Sequence, residues 1–203
     1  LLESISGQAV FMPPNLGSPI DALMNLTGAE KFCQMLIDQP KEVKSALSQI
    51  ADIWKSTYSE IMDACVKNQV GLIHWCEIWS ELPYLILECE SAALVGRKHF
   101  QQFFVPDIRR QAQSVQRSIF HICGEDAFRH LDSILDIPEI NAIQYVPRKG
   151  NKVIDRLAEI RRIQRLGIPL QIAISPFEVY ELMDVLDPAG LSFLVLDALP
   201  LED

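Results

Sequence analysis

From Ser118 onward, short apolar runs alternate with polar stretches of helical length, and this alternation limits the fold more than any other feature of the chain. The runs fall at 118–122, 142–146, 170–174 and 192–196, with earlier ones at 9–12, 70–75 and 84–89; each has the length and composition of a strand. Between them the polar stretches 97–113, 125–135, 152–166 and 176–186 have the length of helices. Gly167 before Ile168-Pro169 is a helix stop leading into a strand, and Pro176 behind Ser175 restarts a helix at once. Near-continuous apolar segments such as Ile172-Ala173-Ile174 and Phe193-Leu194-Val195-Leu196 fit parallel strands covered by helices. Either a doubly wound sheet or a (β/α) barrel satisfies this pattern. No glycine-rich GxGxxG or GxxxxGK[ST] turn follows any strand, which favours the barrel.

A complete TIM-type (β/α)8 barrel takes about 250 residues. The 203 residues here are therefore expected to form one α/β barrel domain over 1–203 that lacks its first strands, the C-terminal part of a longer barrel. Ahead of the repeats, Val43, Leu47, Ile50, Trp54, Tyr58, Ile61 and Cys65 step by three or four and predict a long amphipathic helix after Pro40. Thr27 with Glu30 offers a cap for a shorter helix before it.

Composition narrows the function classes. Lys and Arg number 18 against 27 Asp and Glu, a formal charge of −9, the wrong sign for a surface that neutralises many phosphates. Nucleic acid and anionic membrane are disfavoured as partners. No apolar run reaches the roughly 18 residues that span a bilayer, and the opening residues lack a basic segment followed by a cleavage site, so a cytoplasmic location is expected. Five cysteines without a CxxC pair read as neither a disulfide framework nor a zinc ribbon.

Chemistry is expected where barrel enzymes place it, at the C-terminal ends of the strands. In Phe120-His-Ile-Cys-Gly124 the period of two sends His121 and Cys123 to one face at the end of a strand. Imidazole and thiolate suit zinc, and Asp197, after the last predicted strand, is a candidate third ligand. The alternative is that His121 is hydrogen-bonded in the barrel mouth, Cys123 is packing, and Asp197 caps the next turn. Glu88 and Glu90 lie on one face by alternation and are candidate acid–base groups; the alternative is ordinary loop solvation. Trp79, Gln144, Tyr145 and Arg148 are candidate substrate-binding residues, with Arg148 suited to an anion. Trp75, Trp79 and Tyr145 are placed to line an apolar pocket, although aromatic residues near strand ends are more often core.

The chain resembles the uroporphyrinogen decarboxylase superfamily. The resemblance rests on Gly28-Ala-Glu-Lys-Phe, Asp38-Gln-Pro-Lys-Glu-Val43, Phe103-Phe-Val-Pro-Asp-Ile-Arg-Arg110, Phe120-His-Ile-Cys-Gly124 with Arg129-His-Leu-Asp132, the stretch Ile137-Pro-Glu-Ile-Asn-Ala-Ile-Gln-Tyr-Val-Pro147, and Leu186-Asp-Pro-Ala-Gly-Leu191. It implies a (β/α)8 barrel. The H-x-C at His121–Cys123 is similar to that of the cobamide-dependent methyltransferase branch, which binds zinc through this motif and a distant cysteine and passes a methyl group from a corrinoid to a thiol. No cysteine follows Cys123, and Asp197 stands in the expected region. The resemblance thus implies a zinc-dependent methyltransferase with a methylcorrinoid co-substrate, a small thiol substrate and a corrinoid protein partner. Its alternatives are a cofactor-free lyase that decarboxylates a tetrapyrrole and a non-catalytic corrinoid- or partner-binding barrel. An incomplete barrel leaves strand edges open, so a homo-oligomer is a further expectation.

Overall fold

The computed structural model describes residues 12–68 and 71–196. They fall into two compact units, one running to Ser118 and the other from Ile119 onward. The predicted strand 9–12 and residue Val70 lie outside the described residues, apart from Met12, which has no regular structure.

The first unit opens with three helices. Ser18 caps α1 (Pro19–Thr27) by accepting from the Asp21 N–H at 3.2 Å, and Pro19 brings the preset φ of a first helical position. Gly28, at φ +84°, ends α1 and starts α2 (Ala29–Asp38). The Thr27 cap expected from sequence does not form: Thr27 closes α1 and donates its hydroxyl to Leu23 O at 2.9 Å. Helix α3 (Pro40–Asn68) begins at the predicted proline. Its buried stripe is Val43, Leu47, Ala51, Trp54, Tyr58, Met62 and Cys65. Ala51 and Met62 replace the predicted Ile50 and Ile61, one residue round the helix, and those two isoleucines are half-buried. Trp54 stacks on Tyr58 at 5.0 Å and donates to Gly17 O at 2.9 Å, tying the helix to the turn before α1.

The run 70–75 is not a long strand. It contributes β1 (Leu72–Ile73) to a small antiparallel hairpin with β2 (Trp79–Ser80), Leu72 opposite Ser80. The chain reverses because Glu77 takes φ 58° and donates its N–H to His74 O at 2.8 Å. Strand β3 (Tyr84–Leu87) is buried at every position but ends two residues before its predicted limit. A 3-10 turn over Glu90–Leu94 follows it. Asp21 holds that turn, its carboxylate accepting from Glu90 N at 3.0 Å, Ser91 N at 2.9 Å and the Ser91 hydroxyl.

The predicted helix 97–113 forms as α4 (Arg97–His99), a π-helical turn (Phe100–Phe104) and α5 (Val105–Ala112). Pro106 explains the widened turn: it has no N–H to give to Gln102 O, and its ring crowds that carbonyl in α geometry.

In the second unit β4 (Arg117–Cys123), whose first residues precede the unit boundary, pairs in parallel with β5 (Ala142–Val146). Then β5 pairs with β6 (Leu170–Ile174), and β6 with β7 (Leu191–Val195). The strands lie where the sequence puts them, within a residue or two. The connecting helices α6 (Leu131–Leu135), α7 (Leu157–Arg165) and α8 (Val179–Met183) each start as a 3-10 turn and are shorter than predicted. At α8, Ser175 and Glu178 form a reciprocal capping box behind Pro176. The fold is α/β with parallel strands; among the described residues the strands do not close into a ring. No helix of the described residues is long and apolar enough to cross a membrane.

Candidate functional site

Register decides which side chains of the second unit meet. Ile119, His121 and Cys123 stand opposite Ala142, Gln144 and Val146; Gln144 stands opposite Gln171, and Gln171 opposite Ser192. In a parallel ladder, residues in register share a face. One level of one face therefore carries the row His121, Gln144, Gln171, Ser192. The other face carries Phe120, Ile122, Ile143, Tyr145, Leu170 and Ile172, all buried.

The first three members of the row are joined by hydrogen bonds. His121 Nδ1 lies 2.7 Å from Gln144 Oε1, and Gln144 Nε2 donates to Gln171 Oε1 at 2.6 Å. Gln144 is fully buried, so its amide has partners on both strands, as buried polar groups require. With Nδ1–H donating to the amide oxygen, the His121 ring is fixed in orientation. Burial pushes the His121 pKa below its ordinary value, only partly offset by the hydrogen bond to Gln144. The imidazole is accordingly neutral at pH 7, the form that ligates metals. Cys123, the last residue of β4, is exposed.

Gly124 follows at φ +69° and has a clear reason to be glycine: a Cβ there would stand 2.7 Å from Arg148 Nε. Arg148 thus lies across the end of β4. Its Nη2 pairs with Asp126 Oδ2 at 2.8 Å, and its backbone N–H donates to Glu125 Oε1 at 3.3 Å. Arg148 also lines a cavity of about 420 Å3 at the C-terminal ends of β5 and β6, with Val146, Ala173 and Leu196 on the wall. Val146 is the register partner of Cys123, so the cavity begins one strand over from the thiol.

The other predicted site residues are dispersed. Tyr145 is buried on the opposite face, its hydroxyl donating to Glu125 Oε1 at 3.0 Å and its ring 4.8 Å from Phe128. Gln144 is on the site face but gives its amide to His121 and Gln171. In the first unit, Trp79 is exposed and lies over Gly71, where a Cβ would meet its Nε1 at 2.7 Å. Glu88 is half-buried and accepts from Asn15 Nδ2 at 2.8 Å. Burial raises its pKa, Asn15 lowers it, and the charges of Glu90 and Asp21 raise it further. The alternation that put Glu88 and Glu90 on one face does not extend that far, because β3 ends at Leu87 and Glu90 opens the 3-10 turn. Asp197 lies outside the described residues.

Zinc fits the two donors that are described. His121 is neutral and oriented through Nδ1 by another side chain, as metal-ligating imidazoles are, which makes Nε2 the nitrogen to hold an ion. Cys123 is on the same face. Among the described residues, no group of three or more His, Cys, Asp or Glu side chains is gathered around one point.

Sequence reasoning did not single out Gln171 or the supporting role of Gln144. The signal was present: two glutamines inside apolar strand runs, Ala142–Val146 and Leu170–Ile174, are polar groups that must find partners once buried.

Parallel strands joined by helices, with a histidine, a thiol and a cavity at their C-terminal ends, define an α/β protein. The chain belongs to the uroporphyrinogen decarboxylase (URO-D) family, whose sequence profile matches residues 4–171. No curated protein and no solved structure matches the chain.

Proposed function

We propose that the chain acts as a (β/α)8 barrel enzyme of the URO-D family that transfers a methyl group from a methylcorrinoid to a thiol at a zinc site made by His121, Cys123 and Asp197. The observation that carries this reading is the neutral His121, held through Nδ1 by Gln144 on the face that also carries Cys123. Zinc, when bound, supplies a Lewis acid that lowers the pKa of a thiol and favours its thiolate.

The residues of the chain do the rest. Gln144 fixes the ring of His121, and Gln171 fixes Gln144. Cys123 contributes a sulfur ligand at the rim. The site would hold the substrate sulfur as a thiolate nucleophile beside His121 and Cys123, and a methylcorrinoid, when bound, would supply the methyl group it accepts. Arg148 offers a cation at the cavity for an anionic group on the substrate.

A second reading has one observation in its favour. Arg148 at a cavity of about 420 Å3 equally suits a carboxylate of a tetrapyrrole in a metal-free decarboxylase. Zinc content separates the two. The purified chain should carry about one zinc per chain, and His121→Ala and Cys123→Ser should each lose most of it. Equal, sub-stoichiometric zinc in all three proteins would end the metal reading and favour the decarboxylase.

A further inference from the structure

The first unit has a cavity of its own, of about 280 Å3, between α3 and the widened helix that ends in α5. Six of its wall residues matter: Lys44, Leu47, Ser48, Phe103, Asp107 and Arg110. Leu47 and Phe103 are buried and make an apolar side. Lys44 and Arg110 bring two cations from different helices. Lys44 Nζ stands 5.8 Å from the centre of the Phe103 ring, which holds the ammonium at the rim of the apolar side. The Arg110 guanidinium meets Ser48 Oγ at 3.4 Å and stands 3.9 Å from the Asp52 carboxylate, with both charged groups well exposed. Such a pair is weak and yields readily to a better-placed anion. The π turn sets Phe103 at this wall, and single π turns within α-helices recur at functional sites.

We propose that this cavity binds a small apolar carboxylate, its anionic end between Lys44 and Arg110 and its hydrocarbon part against Leu47 and Phe103. The inference does not depend on the zinc reading, which concerns the other unit.

Asp107 on the wall gives the site a distinctive behaviour. Burial pushes its carboxyl up to about 7, and the Asp21 charge raises it, while the Ile20 N–H, Arg110 and Gln111 draw it down. Gln111 Nε2 donates to Asp107 Oδ2 at 3.2 Å. From the segment after β3, the Cys89 thiol is itself pushed well up by burial and by Asp21 and Asp107, and stays neutral. An anion arriving beside Asp107 favours its protonated form, so binding takes up a proton. Affinity should therefore weaken about tenfold between pH 6 and pH 8.

Benzoate, benzamide and inorganic phosphate, titrated into the full chain by calorimetry, test this. Benzoate should bind saturably and benzamide and phosphate should not. Lys44→Glu, an exposed position, should weaken benzoate at least about tenfold, and Asp107→Asn should remove the pH dependence while retaining binding. Absence of saturable benzoate binding would overturn the proposal. So would equal binding of benzamide or phosphate, equal affinity in Lys44→Glu, or the same affinity at pH 6 and pH 8 in the parent chain. Circular dichroism of each variant confirms that the fold is intact.

Discussion

In the second unit a neutral row, half-buried His121 with buried Gln144 and Gln171, passes hydrogen bonds from strand to strand; in the first unit two buried carboxyls, Asp21 and Asp107, are held among Ser18, Ser91 and Gln111. Desolvation acts on both, with opposite consequences for pH. It lowers the pKa of a histidine and raises that of an acid. Asp107 binds its proton more tightly folded than unfolded, so its contribution to stability is full below the ordinary value of 3.8 and is lost as pH rises to about 7. His121 releases its proton more readily folded, so its contribution is full above the ordinary value of 6.5 and is lost as pH falls toward the lowered native value. Asp107 thus favours mildly acid conditions and His121 neutral ones, and buried His74 of the first unit, its pKa also lowered by burial, behaves as His121 does.

The comparison breaks most visibly at Asp107. Asp107→Asn should remove a loss of stability on the order of 4 kcal/mol spread across the window from about pH 4 to pH 7, read as the difference between urea unfolding curves of the two proteins at each pH. Parallel pH profiles would contradict the burial account. Next in size is Asp21→Ala, which strands the buried Ser91 N–H and the Glu90 N–H and should cost about 3 kcal/mol in the same assay. Gln144→Leu leaves the His121 Nδ1–H and Gln171 Oε1 without their shared partner and should cost about 2 kcal/mol. Hydrogen exchange should show that loss first in β4, β5 and β6. The smallest effect is at His121 itself: in chelator-treated, metal-free protein His121→Gln should flatten the decline in β4 and β5 protection below pH 6.5, leaving protection at pH 8 nearly unchanged.

Legibility in the sequence followed the same division. The strands of the second unit could be placed because each is an apolar run bracketed by turn residues, Gly167 and Pro169 before β6, Ser175 and Pro176 after it. The placement of His121 and Cys123 on one face was also readable, since alternation along seven residues of strand leaves little freedom. The first unit was harder. Nothing local announces that Tyr84–Leu87 stops where it does; the cause is Asp21, 69 and 70 residues away from the two backbone groups it accepts. Likewise the partners of Gln144 lie 23 and 27 residues away, on strands whose register no single segment specifies. The sequence predicts a strand over 70–75 and no hairpin partner at Trp79–Ser80, because the turn between them rests on Glu77 in the left-handed region, where glycine or asparagine is the usual signal.

Cobalt(II) loading of the chain is the most direct test of the proposed zinc site, because a thiolate ligand to cobalt gives an intense near-ultraviolet charge-transfer band. The cobalt-loaded chain should show this band, Cys123→Ser should lose it, and Glu88→Gln, in the other unit, should keep it. A spectrum that lacks the band in the parent chain, or is the same in Cys123→Ser, would contradict the assignment of His121 and Cys123 as partners in one metal centre.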